Sequence, residues 1–234
     1  MTNQEKLTKK EFLGHFLAGT LRLVFVGMSN TGKSRRAKEL LRTLGFFMYS
    51  VDEYIAKELG MHNVGEVGEW LGHPDSDGYV KREKEYLRLE DKYTRLESIE
   101  AIIPKEKNLV FDTTGSVAHL PQETRDWLSD NCLVIYLTLE ESDMEKIINL
   151  FFRVMKPLIW GEYFQFCNGE TRDNALRTCY PNLLAFRTEK YADMANISIR
   201  SKDLWDASAG VILDAILNCL PGDEPEEVPW RVAV

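Results

Sequence analysis

The chain contains no uninterrupted run of eighteen apolar residues, so nothing in it reads as a membrane-crossing helix. Its opening stretch, MTNQEKLTKKEFLGHF, mixes both charges around no long apolar core, unlike a secretory leader, and the expectation is a cytoplasmic protein. Cysteine is sparse: Cys132, Cys167, Cys179 and Cys219 form no CxxC pair and have no metal-type spacing to His15, His62, His73 or His119. That excludes a disulfide framework and a zinc site. Positive charge is also short, with 29 Lys and Arg against 37 Asp and Glu, a net charge of −8. An acidic chain is repelled by nucleic acid and by anionic membrane, so neither is expected as a partner. A small anionic ligand in a local basic pocket remains compatible with this balance.

What is present fits one α/β domain spanning residues 1–234. Five β-type runs stand out: LRLVFV (21–26), FFMYSV (46–51), NLVFD (108–112), CLVIYLTL (132–139) and ANISIR (195–200). Helical patterns lie between them, which predicts a largely parallel sheet. A helix over 34–44 carries Ala37, Leu40, Leu41 and Leu44 on one face and stops at Gly45. Ser142 and Glu145 form a capping box ahead of an apolar stripe through Met144, Ile147, Ile148, Phe151 and Met155. A last helix near 206–219 precedes an acidic tail, 221–234, expected to be loose or packed only through Trp230.

Two stretches interrupt this rhythm. Residues 52–106 form a charge-dense insertion that includes the helical KREKEYLRLEDKYTRLESI (81–99), whose alternating charges read mostly as solvated pairs. Residues 153–177 are polar at their edges and aromatic in the middle, and are expected to form a lid.

The sharpest motif is GMSNTGKS (27–34), which matches G-x-x-x-x-G-K-[ST] between an apolar strand and a helix. Glycine lets backbone N–H groups turn toward phosphates, and the following helix aims its positive end at the anion. Gly27, Met28, Ser29, Asn30, Thr31, Gly32, Lys33, Ser34 and Arg35 are therefore the candidate nucleotide-binding residues, with Lys33 on the β/γ-phosphates and Ser34 a candidate Mg²⁺ ligand. No NKxD tetrapeptide supplies guanine readout, and Asp112 is followed by Thr113 rather than by the glutamate of an ATPase motor. A small-molecule kinase remains as the common class.

Such a kinase needs a carboxylate for the acceptor hydroxyl and cations over the migrating charge. Asp52 lies at the carboxyl edge of the second strand, where ligands bind in open α/β sheets; it either serves the acceptor or merely caps the helix that follows. Asp112 ends the third strand at the same edge, and either holds a Mg²⁺-bound water or hydrogen-bonds Ser34 or Thr113 as scaffold. Thr113, Thr114 and Gly115 offer hydroxyls and a flexible backbone to a substrate. Lys156 and Arg153 are candidate lid cations, with Arg172 and Arg177 beyond them.

In this order the chain resembles the shikimate kinase family of P-loop small-molecule kinases, within the nucleoside-monophosphate-kinase-like group. The stretches that carry the likeness are GMSNTGKSRRAKELLRTLGFFMYSVDEYI, NLVFDTTGSV, CLVIYLTLEESD and LLAFRTEKYADMANISI, spread over most of residues 20–200. The resemblance implies a three-layer P-loop kinase fold with a five-stranded parallel sheet, a substrate-binding insertion and a lid. It implies that ATP and Mg²⁺ are used and that a hydroxyl of a small, anionic metabolite is phosphorylated. It further implies that Asp52 is the acceptor-orienting carboxylate, that Arg187 binds an anionic substrate group, and that Lys156-Pro157-Leu158 stands for the lid's Arg-Pro-Leu. Thr113-Thr114-Gly115 replace the family's substrate-binding triple glycine, and Arg82 with Glu85 match its R-x-x-E, with Arg88 as a rival. The departures are Ser50 for the first aspartate of the D-x-D pair, Lys156 for arginine and the two threonines. They leave two rival expectations: a nucleoside or polynucleotide kinase, and a nucleotide-binding regulatory module without turnover.

Overall fold

The computed structural model describes residues 7–95, 102–140, 142–144, 146, 148–149, 158–166 and 169–231. Five strands, β1 (Arg22–Val26), β2 (Phe47–Ser50), β3 (Leu109–Asp112), β4 (Leu133–Thr138) and β5 (Ile197–Arg200), form one all-parallel sheet in the order β2-β3-β1-β4-β5. Each lies within the run expected for it.

The central strands β1, β3 and β4 are almost continuously apolar because both faces of the sheet are covered there, whereas the edge strand β5 alternates buried Ile197 and Ile199 with exposed Ser198 and Arg200. Their period-two alternation divides the core: Val24, Val26, Phe111, Val134 and Tyr136 point into one hydrophobic cluster, and Leu23, Phe25, Val110, Leu133, Ile135 and Leu137 into the other. On the second face lie α1 (Lys9–Leu17), α2 (Lys33–Leu44) and α8 (Ala209–Asn218). The first face is covered by α3 (Val51–Glu58), α4 (Val64–Leu71), α5 (Tyr79–Thr94), α6 (Gln122–Asn131) and α7 (Arg172–Met194). The result is a three-layer α/β fold. No helix among the described residues is long and apolar enough to cross a membrane.

Parallel register sets the carboxyl ends side by side. Phe25 and Ser50 both pair with Asp112, and Val26 pairs with Tyr136. The chain leaves β1 between a neighbour reached on one side (β3) and a neighbour reached on the other (β4), and this reversal opens a crevice at the carboxyl edge.

Several expectations change. The insertion 52–106 is largely three helices, and α5 ends at Thr94, with Arg95 already extended. Glu83 and Glu90, read from the sequence among solvated pairs, are buried, because they lie on the α5 face with Tyr79, Tyr86 and Leu89; Arg88 and Glu85 do form the expected exposed pair at 2.7 Å. Arg172 and Arg177 belong to the first turns of α7 rather than to a loop, and Arg172 pairs with Asp75 at 2.7 Å. Residues 142–144, 146, 148 and 149 are helical, with Met144 and Ile148 against the core; Glu145, Ile147, Phe151, Arg153, Met155, Lys156 and Pro157 lie outside the described residues.

The acidic tail is docked more fully than expected. Trp230 packs edge-on against Phe12 and Phe16 of α1, and its Nε1–H donates to Asp214 of α8 at 2.9 Å. Val228 is buried beside it, Arg231 pairs with Asp214, and Lys9 pairs with Glu224. The helix α1, itself started by a complete Thr8/Glu11 capping box, is thereby fixed to α8. Trp230→Ala should lower unfolding stability by about 3 kcal/mol, read as a lower urea midpoint at unchanged slope.

Candidate functional site

Between β1 and α2 the backbone turns through Gly27, Asn30 and Gly32, all with positive φ (144°, 67° and 84°). Glycine suits position 32 because its φ is +84° and because a Cβ there would lie 1.7 Å from Arg36 Nη1, so the guanidinium would have to shift. Thr31 closes the turn through its hydroxyl, which donates to Met28 O at 2.9 Å. The buried Arg36 then donates from Nη1 to Thr31 O at 2.7 Å and from Nη2 to Ser201 O at 2.6 Å, while the Ser201 hydroxyl donates to Thr31 O at 2.7 Å. Burial brings the Arg36 pKa down to about 10, which still leaves it charged at neutral pH.

Lys33 opens α2 and is folded back over the loop, its Nζ donating to Gly27 O at 2.8 Å and Met28 O at 3.1 Å. No acidic residue sits in the first turn of α2, so the N–H groups and helix dipole leave this end positive. Two cavities flank the loop. One, of about 620 Å³, is lined by Asn30, Lys33, Ser34, Arg35, Lys202 and Trp205 among others. Arg35 lies over the Trp205 ring at 5.5 Å and pairs with Asp206. The other, of about 430 Å³, shares Asn30, Lys33 and Ser34 and continues to Asp52, Tyr86, Thr114, Ser116 and Arg187. Met28, Ser29, Thr31 and Gly32 all belong to the loop that separates them.

Beside Ser34, which lines both cavities, lies Asp112, only 5% exposed, whose Oδ1 has no hydrogen-bond partner among the described residues. Burial raises its pKa, against the opposing pull of the Ser34 hydroxyl and of Lys33 and Lys38. A buried carboxylate oxygen without a partner, next to a serine hydroxyl at a phosphate-type loop, suits a hard divalent cation such as Mg²⁺. Asp112 and Ser34 are thus suited to hold such an ion, while the hydrogen bond between them is the one the scaffold alternative calls for.

The structure brings Asp52, Thr114, Gly115 and Arg187 to one cavity. Asp52 is not a helix cap: α3 begins at Val51 with Ser50 as its N-cap, and Asp52 sits in the first turn, where its Oδ1 accepts from the Tyr86 hydroxyl at 3.3 Å. Arg187 is delivered by α7; its Nη2 donates to Ile159 O at 2.7 Å and its Nε lies 3.3 Å from His119 Nε2. Arg82 is elsewhere, bonded to Leu71 O, Asp77 O and the Ser76 hydroxyl, so it braces the turn between α4 and α5 and does not line the cavity. Lys156 lies outside the described residues. The threonines are less free than expected: the Thr113 hydroxyl donates to Phe25 O at 2.8 Å, and Thr114 is held by Ser116 and Glu90.

Glu90, Ser116, Tyr86 and Glu83 are the residues that sequence reasoning missed. The Ser116 hydroxyl lies 2.6 Å from Glu90 Oε2, Thr114 Oγ1 contacts Glu90 Oε1, and the two hydroxyls are 2.9 Å apart. Glu83 Oε1 accepts from the Tyr79 hydroxyl at 2.8 Å and from the N–H groups of Trp160 and Gly161 at 2.8 and 2.9 Å. The available signal was spacing: 79, 83, 86 and 90 repeat at helical intervals on one face, alternating tyrosine with glutamate.

Burial drives the Glu90 pKa up to about 7, with Asp52 adding to the rise and the Ser116 and Thr114 hydrogen bonds and Arg187 opposing it. A carboxyl raised on folding contributes stability that is complete below its unfolded pKa and is lost as pH climbs through the folded value. Glu90→Gln should therefore become more stable relative to the natural chain as pH rises from about 4.5 to 7, by on the order of 3 kcal/mol in the difference of unfolding free energies.

No family model matches the chain, and no curated protein matches it in sequence. Solved structures do. The chain is similar to shikimate kinase from Acinetobacter baumannii in complex with shikimate (22% identity, 90% of this chain and 97% of that one, TM-score 0.51). It is similar also to shikimate kinase from Aquifex aeolicus (19%, 86% and 100%, TM-score 0.51) and from Bacteroides thetaiotaomicron (17%, 84% and 98%, TM-score 0.53). At these identities the likeness concerns the fold, and the chain has the three-layer, five-stranded parallel α/β fold of the P-loop kinases to which shikimate kinases belong.

Proposed function

We propose that the protein is an ATP- and Mg²⁺-dependent kinase that phosphorylates a hydroxyl of a small molecule. The observation that carries this reading is a single phosphate-type loop shared by two cavities, one on each side of Lys33 and Ser34. A nucleotide in the first cavity would direct its terminal phosphate across the loop toward an acceptor in the second. Resemblance to shikimate kinases supports the same division.

In this scheme Lys33 and the N–H groups at the start of α2 hold the phosphate chain and draw off charge as it accumulates on the leaving oxygen. Ser34 and Asp112 would hold Mg²⁺, which supplies further neutralisation of phosphate charge when bound. Asp52 orients the acceptor hydroxyl and takes its proton as the new oxygen–phosphorus bond forms and the β–γ bridging bond breaks. Arg187 bounds the far end of the acceptor cavity, and Lys156 is assigned to the lid by the same resemblance. Transfer of this kind leaves little covalent work for the protein, so distance and charge carry the rate.

Acceptor-dependent ADP release should be lost in Lys33→Ala. Asp52→Asn should lower kcat by roughly 10²- to 10⁴-fold while nucleotide affinity, measured by calorimetry, stays within about twofold. Full turnover in either variant would overturn the scheme. Tight Mg²⁺-ATP binding with no release across sugars, hydroxy acids and nucleosides would favour a nucleotide-binding regulatory module.

A further inference from the structure

The described lining of the acceptor cavity is dominated by hydroxyls, from Ser29, Ser34, Tyr86, Thr113, Thr114 and Ser116, with one carboxylate, Asp52, and two cations, Lys33 and Arg187. Beyond Lys33, which serves the phosphate loop, Arg187 is the one cation among its described lining residues. That guanidinium is partly committed along its Nε–Nη2 edge to His119 and Ile159 O. His119 adds no charge, because burial and the neighbouring Arg187 and Arg125 push its pKa down to about 3. A carboxylate entering here would meet one partly used cation and would face Asp52 across the same cavity.

Behind the wall, Glu90, Thr114 and Ser116 close a ring of three oxygen–oxygen contacts. Glu90 is completely buried among these hydroxyls, and burial holds it as the neutral acid over much of the pH range below 7, where its carboxyl can both donate to and accept from them. Thr114 Oγ1 also accepts from the Ser116 N–H at 3.0 Å, and the Tyr86 hydroxyl is hydrogen-bonded to both Ser116 and Thr114, which ties it into the same cluster. Together with the Asp52 carboxylate this makes a surface rich in acceptors, the complement of O–H donors.

From this wall we infer that the acceptor is an uncharged polyol, a sugar, cyclitol or nucleoside ring with neighbouring hydroxyls, read by Asp52, Tyr86 and Ser116. Glu90 is the positioning residue that fixes the Thr114–Ser116 turn. The inference rests on the kinase reading and narrows it: it replaces the anionic acceptor expected from the sequence.

The test is acceptor-dependent ADP release by the full chain with Mg²⁺-ATP, comparing hexoses, inositols and ribonucleosides with hydroxy acids of similar size. The best uncharged polyol should exceed every hydroxy acid by about tenfold or more in kcat/KM. Glu90→Gln, which keeps a neutral hydrogen-bonding group, should stay within about threefold of the natural chain, whereas Glu90→Ala should raise the acceptor KM about tenfold and leave the ATP KM within about twofold. If Glu90→Ala does not fold, Ser116→Ala gives the same readout without opening the core. A preferred hydroxy acid, or acceptor and ATP KM values that rise together, overturns this inference alone. No turnover with any acceptor, while Mg²⁺-ATP binding persists, overturns the kinase reading and this inference with it.

Discussion

Arg36 spans the joint on which both cavities depend. Its guanidinium ties Thr31 O, inside the phosphate loop, to Ser201 O, just past β5, and so connects the centre of the sheet to its edge. A charge this buried is costly unless its protons are used; two backbone carbonyls take one each from Nη1 and Nη2, while Nε is left without a partner among the described residues. The arrangement also explains why position 32 favours glycine: Arg36 occupies the space a Cβ would take. One residue, lying 5.8 Å over the Trp205 ring, thus holds the backbone of the phosphate loop against that of the segment after β5.

α5 sets the acceptor side in a similar way. Its exposed face carries ordinary pairs such as Arg88 with Glu85, worth little in water. Its buried face puts Glu90 beneath the acceptor turn and Glu83 beneath residues 160 and 161. Tyr79 reinforces the second contact by donating to Leu158 O at 3.0 Å. Segment 158–161 is therefore fastened to α5 from below and, through Ile159 O, to Arg187 from α7. Two elements that bound the acceptor cavity are joined by the chain that immediately follows the Lys156-Pro157 dipeptide.

What could be read in the sequence separates along the same line. All five strands and the phosphate loop were legible, because apolar runs buried on both faces, the period-two alternation of β5 and a glycine turn before a helix are local patterns with few alternatives. The capping box of α1 was also written in Thr8 and Glu11, ahead of an apolar residue at Phe12, and was masked by the charges around it. Asp52, Thr114, Gly115 and Arg187 converge as expected, since each ends a strand, follows one, or sits on the stripe of α7. Arg82 does not, and Glu90 was missed. On a helix surface every charge looks solvated until its partners across the fold are known, and those partners are hydroxyls 24 and 26 residues away.

The two ends of the site therefore answer to different constraints. In the proposed scheme phosphate would be held by backbone N–H groups, one lysine and a helix end, and such a demand permits few sequences. The acceptor would be held by side chains on separate elements, so substitution there can alter the recognised molecule while the sheet and loop stay as they are. Thr113, Thr114, Tyr86 and Glu90 all lie on that side, and the threonines that stand where a glycine turn is expected are locked by Phe25 O and Glu90 rather than left pliable. A turn stiffened in this way presents fixed oxygens, and fixed oxygens discriminate best against ligands that bring further negative charge to the same wall.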